Sequence, residues 1–265
     1  MKNFIVVFTI CFTALSSYAQ DFALEQLEKS PRHQEWVKVK AGERTVSCFV
    51  VYPEVSKKVP VVIVIHENRG LSDWVRSFAD QLAGEGYIAI APDLLSGFSK
   101  DISTTSDFAN SDDARNAIYQ LDPEQIKNDL NAVEAYALKM PAGNGKTAVV
   151  GFCWGGTQTF RFATYNNNIE LALVFYGGTP ETQEEISQIS VPVYAFYAGN
   201  DERINAGIPE TEKQMKEAGK KYEYKIYPGA GHGFMRQGDD PNGSAENKKA
   251  RNESWERLKQ ILKDL

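Results

Sequence analysis

The segment Gly151-Phe152-Cys153-Trp154-Gly155-Gly156 sets a nucleophile among the small neighbours that a tight turn needs. It follows the apolar run 147–150 and precedes a helical pattern. A Gly-x-nucleophile-x-Gly stretch between a strand and a helix forms an elbow that exposes its central side chain. With cysteine at the centre, the chemistry to expect is thiol attack on a carbonyl carbon. The helix starting after Cys153 should aim its first N–H groups at the sulfur, favouring a thiolate and a negative tetrahedral intermediate.

Such a nucleophile needs a base, and the base needs an orienting acid. Where this kind of elbow carries them, the chain order is nucleophile, acid, histidine. Of the three histidines only His232 lies after Cys153, in the Gly-rich loop Pro228-Gly229-Ala230-Gly231-His232-Gly233-Phe234. The acid is expected at Asp201, in Ala198-Gly199-Asn200-Asp201, with its neighbour Glu202 as the rival. The third feature is His66-Glu67-Asn68-Arg69-Gly70, directly after the run 61–65. A loop in that place supplies one oxyanion N–H and the residue after the nucleophile supplies the other, which points to Asn68 and Trp154. Glu67 would stand beside the sulfur, where a carboxylate raises a thiol pKa and can accept its proton. His66 reads as a structural loop histidine. Tyr176, directly after the run 171–175, is a candidate for holding a substrate.

The elements that must position these groups are legible in the hydrophobic pattern. Two β-like runs, 36–39 and 46–52, joined near Gly42, predict a hairpin. Val61-Val62-Ile63-Val64-Ile65 and Tyr87-Ile88-Ala89-Ile90-Ala91 are continuous apolar runs, as expected of strands buried on both faces of a parallel sheet. Further strands are expected at 147–150, 171–175, 193–197 and 222–227, with helical patterns at 74–82, 123–139, 155–165, 207–218 and 245–263. Alternation of this kind predicts an α/β fold, a mostly parallel central sheet with helices on both faces. Residues 96–122 break the pattern, being rich in Ser, Thr, Asp and Asn, and read as either a surface excursion or a partial lid over the strand ends.

Composition narrows the surroundings of this site. Lys plus Arg is 29 and Asp plus Glu is 35, a net charge of -6 that argues against nucleic acid as a partner. Lys2, the apolar run 4–15 and Ser17-Tyr18-Ala19 have the form of a secretory signal, cut after Ala19. The apolar run is shorter than the ~20 residues of a bilayer span, so export to the periplasm or medium without stable membrane insertion is expected. One domain would then cover 20–265. Cys11 leaves with the signal, and the remaining Cys48 and Cys153 are too few for a disulfide framework. No metal or organic cofactor is expected, since no ligand cluster appears.

Assembled, these residues resemble the dienelactone hydrolase family of α/β-hydrolases, from about residue 36 to the C-terminus. The family's Gly-x-Cys-x-Gly-Gly elbow is matched by Gly151, Cys153, Gly155 and Gly156, its Gly-x-Asp turn at Asp201, and its Gly-His-x-Phe loop by Gly231, His232 and Phe234. Its glutamate after the third strand, which in the family pairs with the resting thiol, is matched by Glu67. The family's dienelactone-active members bind the substrate carboxylate with two arginines. Arg236 matches one, whereas Pro92-Asp93-Leu94-Leu95-Ser96-Gly97 contains no arginine for the other, leaving Arg69 as the candidate substitute. The resemblance implies a monomeric or homodimeric hydrolase of a small ester or lactone, working through Cys153, His232 and Asp201 and a thioacyl intermediate. The alternatives are an esterase, thioesterase or peptidase acting on a larger exported substrate, or a secreted binding protein on the same fold.

Overall fold

The computed structural model describes residues 21–180 and 182–265; the signal segment expected at 1–19 lies outside the described residues. Eight strands form one sheet: β1 (Gln34–Ala41), β2 (Arg44–Val51), β3 (Val59–Ile65), β4 (Ile88–Asp93), β5 (Gly143–Phe152), β6 (Ala172–Phe175), β7 (Val193–Ala198) and β8 (Tyr222–Tyr227). Their order is β1-β2-β4-β3-β5-β6-β7-β8. β2 pairs antiparallel with both β1 and β4, and the remaining pairs are parallel. The hairpin turns at Gly42, whose φ of 63° suits a residue without a Cβ.

The period of two along β3 explains its unbroken apolar run. Val62 and Val64 pack with Trp74, Phe78 and Phe152 on one face, while Val61, Ile63 and Ile65 pack with Leu130, Val149 and Phe160 on the other. Helices Asp73–Gly84 and Ala245–Leu262 cover the first face, and Pro123–Ala137, Trp154–Tyr165 and Ile208–Glu217 cover the second. The residues that β3 presents to the two sheet faces are therefore apolar, as expected of a doubly covered sheet.

The excursion after β4 is an anchored wall. It contains the helix Ser111–Ile118, whose first turn is capped by the Asn110 side chain accepting from the N–H groups of Asp112 and Asp113. Ala114, Ala117 and Ile118 pack on Leu95, with Phe98, Phe108 and Trp154 around them. At its base, Asp93 accepts hydrogen bonds from the Thr105 N–H at 2.6 Å and the Thr105 hydroxyl at 2.7 Å. The same hydroxyl accepts from the N–H of Leu71 at 3.0 Å, tying the excursion to the loop after β3.

Candidate active site

β5 runs straight into the elbow. Cys153 has φ 55° and ψ −116°, a strained conformation for a residue with a Cβ. Its N–H donates to the Phe175 carbonyl at 3.0 Å, and its own carbonyl accepts from the N–H of Thr157 at 3.1 Å, the first turn of helix Trp154–Tyr165. The flanking glycines are required by contact distance. A Cβ on Gly155 would sit 2.2 Å from the His66 carbonyl oxygen, and one on Gly151 would sit 2.3 Å from that of Gly155. Helix start, β3 end and elbow are thus in backbone contact, which fixes the direction of the thiol.

His232 and Asp201 come to the sulfur from separate strand ends. Asp201 follows β7 and is buried, and His232 sits in the loop after β8, where Gln237 donates its side-chain N–H to the His232 carbonyl at 2.8 Å. The imidazole Nδ1 lies 2.5 Å from Asp201 Oδ2 and Nε2 lies 3.1 Å from Cys153 Sγ. A carboxylate accepts, so Nδ1 carries the proton and the Nε2 lone pair faces the thiol. Tyr176, buried and at φ 38°, sets its ring edge against the imidazole at 5.1 Å. Its hydroxyl is buried with no hydrogen-bond partner among the described residues.

The sulfur is the focus of opposing influences. Burial first, and then the negative charge of Glu67, push the Cys153 thiol up to about 11. The N–H groups of Trp154 and Asn68 and the charge of Arg203 act against this by favouring the thiolate. The N–H of Trp154 at the helix start favours the thiolate, as the sequence suggests. Two backbone N–H groups do point at the sulfur, but desolvation and Glu67 outweigh them, and the resting thiol is neutral. Glu67 itself accepts from Arg236 Nε at 2.9 Å. His66 is fully buried; its Nδ1–H donates to the Glu67 carbonyl at 2.8 Å and its Nε2 accepts from the N–H of Leu94 at 3.2 Å. Burial holds its pKa below the ordinary histidine value, and its ring stacks on Trp154, so it braces the loop and the elbow.

A cleft of about 320 Å³ opens over Cys153, lined by Tyr119, Trp154, Thr157, Gln158, Arg161, Tyr176, Arg203 and Ile204. Cys153, Asp201, His232, Glu67, Asn68, Trp154 and Tyr176 are therefore brought together. The two expected substrate arginines are not part of this lining. Arg236 is held by Glu67, and Arg69 turns outward to Asp112 at 3.5 Å. Asn68 donates from its side chain to the Tyr119 hydroxyl at 3.3 Å, so the wall and the loop after β3 meet at the rim. Sequence reasoning missed Arg161, Arg203 and Tyr119. The signal for Arg161 was present, because 154, 157, 158 and 161 fall on one helix face. Arg203 lies only two residues after Asp201.

The arrangement presents a carbonyl carbon with a sulfur whose proton has an acceptor at 3.1 Å, and places two N–H donors where an oxyanion would form. Known proteins share the sequence and the fold. The model of the Dienelactone hydrolase family matches residues 46–265. A Saccharolobus solfataricus protein named as a carboxymethylenebutenolidase is 31% identical over 255 residues, covering 82% of this chain and 93% of its own. An Escherichia coli protein of the same name is 32% identical over 187 residues, covering 66% and 68%. Among solved structures, a Klebsiella pneumoniae protein described as a dienelactone hydrolase superposes with a TM-score of 0.77 at 21% identity, covering 88% of this chain and 99% of its own. The dienelactone hydrolase of Anabaena variabilis does so with a TM-score of 0.63 at 17% identity, covering 84% and 95%. The sheet order and the elbow are thus those of an α/β-hydrolase, and the chain belongs to the dienelactone hydrolase family.

Proposed function

We propose that this protein hydrolyses an ester or lactone with Cys153 as nucleophile. The observation that supports this most is the unbroken chain from Asp201 through His232 to the sulfur, at 2.5 and 3.1 Å. As Sγ bonds to the carbonyl carbon, the thiol proton passes to His232 Nε2 and Asp201 steadies the imidazolium. The carbonyl oxygen becomes an oxyanion held by the N–H groups of Trp154 and Asn68. Collapse breaks the C–O bond, His232 returns the proton to the leaving oxygen, and a thioacyl-enzyme remains. Water, deprotonated by His232, attacks this thioester; its C–S bond breaks and the thiolate takes the proton back.

A neutral resting thiol shapes this sequence. A thiol pushed up to about 11 is protonated at neutral pH, so proton transfer accompanies attack. The Glu67 charge keeps the sulfur protected between turnovers, while Arg236 keeps the glutamate fixed. The test is Cys153→Ala against short aryl esters and lactones. A loss in kcat of about 10³-fold or more is expected. Wild-type turnover by the variant would overturn the reading.

A further inference from the structure

The cleft over Cys153 carries positive charge that the reaction itself does not use. Arg203 lies on the short helix Glu202–Asn205 that follows Asp201, is exposed, and lines the cleft. Among the described residues it makes no hydrogen bond or ion pair, and its charge reaches the sulfur. Arg161, on helix Trp154–Tyr165, also lines the cleft. Among the described residues no carboxylate side chain lines this cleft, although the chain as a whole has a net charge of -6. A cleft of one sign, walled by low-dielectric protein, concentrates ligands of the other sign.

The position of this charge matters as much as its sign. Arg236 and Arg69, the two arginines singled out in the sequence, face Glu67 and Asp112 and are already neutralised. The unpaired guanidinium instead lines the cleft beside Ile204, on the short helix that Asp201 caps. A guanidinium offers a planar fork of donors that fits a carboxylate with two parallel hydrogen bonds. We propose that Arg203 is the specificity-determining residue of this site and selects substrates that carry a carboxylate in their acyl portion. This rests on the ester-hydrolase reading, and it moves anion recognition from Arg236, which is outside the cleft lining, to a residue within it.

The test compares para-nitrophenyl hemisuccinate, whose acyl chain ends in a carboxylate, with para-nitrophenyl butyrate, its neutral counterpart. In Arg203→Gln the ratio of kcat/KM for the anionic over the neutral ester should fall about tenfold, through KM for the anionic ester. Arg203→Lys should retain more of the ratio than Arg203→Gln, and Arg203→Glu should fall below both. An unchanged ratio in Arg203→Gln, with both esters still hydrolysed, overturns the proposal and leaves the hydrolase reading intact. If the wild type hydrolyses neither ester, the hydrolase reading fails. Binding then decides: the non-hydrolysable amide of the hemisuccinate is titrated calorimetrically into Cys153→Ala with and without Arg203→Gln. About tenfold weaker binding in the double variant supports the proposal, and equal binding overturns it.

Discussion

Cys48 on β2 and Cys153 at the elbow are both free thiols, and burial raises the pKa of both. Burial, and then the charges of Asp93 and Asp129, hold the Cys48 thiol protonated against the weaker pull of Lys38. Cys48 is fully buried, and its thiol points at the Val46 carbonyl at 3.8 Å. Around Cys153 stand an imidazole nitrogen at 3.1 Å and two backbone N–H groups. Both thiols are protonated at neutral pH, so in the proposed reaction the resting state alone does not separate the structural thiol from the nucleophile. The separation comes from groups that act only when an electrophile arrives.

The strongest way to break this comparison is His232→Ala. With the proton acceptor gone, iodoacetamide labelling of Cys153 at neutral pH should slow about 10²-fold, read by mass spectrometry, while Cys48 stays unlabelled in both proteins. Persistent labelling of Cys153 would mean that the elbow alone activates the thiol. A smaller effect sharpens the electrostatic side. Glu67 raises the Cys153 pKa, so Glu67→Gln should lower it by about one unit. Freeing the Arg236 guanidinium acts in the same direction. The inflection of the labelling-rate profile, near 11 in the wild type, should therefore move to lower pH. An upward move would reverse the role given to Glu67. The smallest effect concerns the quiet thiol. Cys48→Ala should cost about 1–2 kcal/mol of stability by leaving a small void, measured by denaturant unfolding, with Cys153 labelling unchanged.

Much of this contrast was readable in the residues. β-branched runs gave the central strands, because a strand buried on both faces has no polar position to interrupt it. Glycine spacing gave the elbow, because contacts of 2.2 and 2.3 Å leave no room for a Cβ at 155 and 151. The neutral state of Cys153 was not readable, since desolvation depends on everything packed over the sulfur. The short helix Ser111–Ile118 was obscured because only Ala114, Ala117 and Ile118 of it are buried, too few to mark an apolar face. Arg203 and Arg236 look equivalent as letters. Only their partners among the described residues, none for Arg203 and Glu67 for Arg236, distinguish a free charge from a spent one.

The wall over the cleft is held mainly at its two ends. At the start, Asp93 closes β4 and grips Thr105; at the finish, Asp122 caps helix Pro123–Ala137 by accepting from the N–H of Glu124. Both anchors belong to elements fixed by the core, and the residues between them contribute a satellite cluster of their own. The segment is therefore pinned where it leaves β4 and where it enters the helix, and between these points it meets the site only through Trp154 and Asn68 among the contacts described above. Tyr119, 62% exposed at its inner edge, travels with it. Changes of substrate during divergence can accumulate there while the elbow, its histidine and its acid stay where the sheet places them.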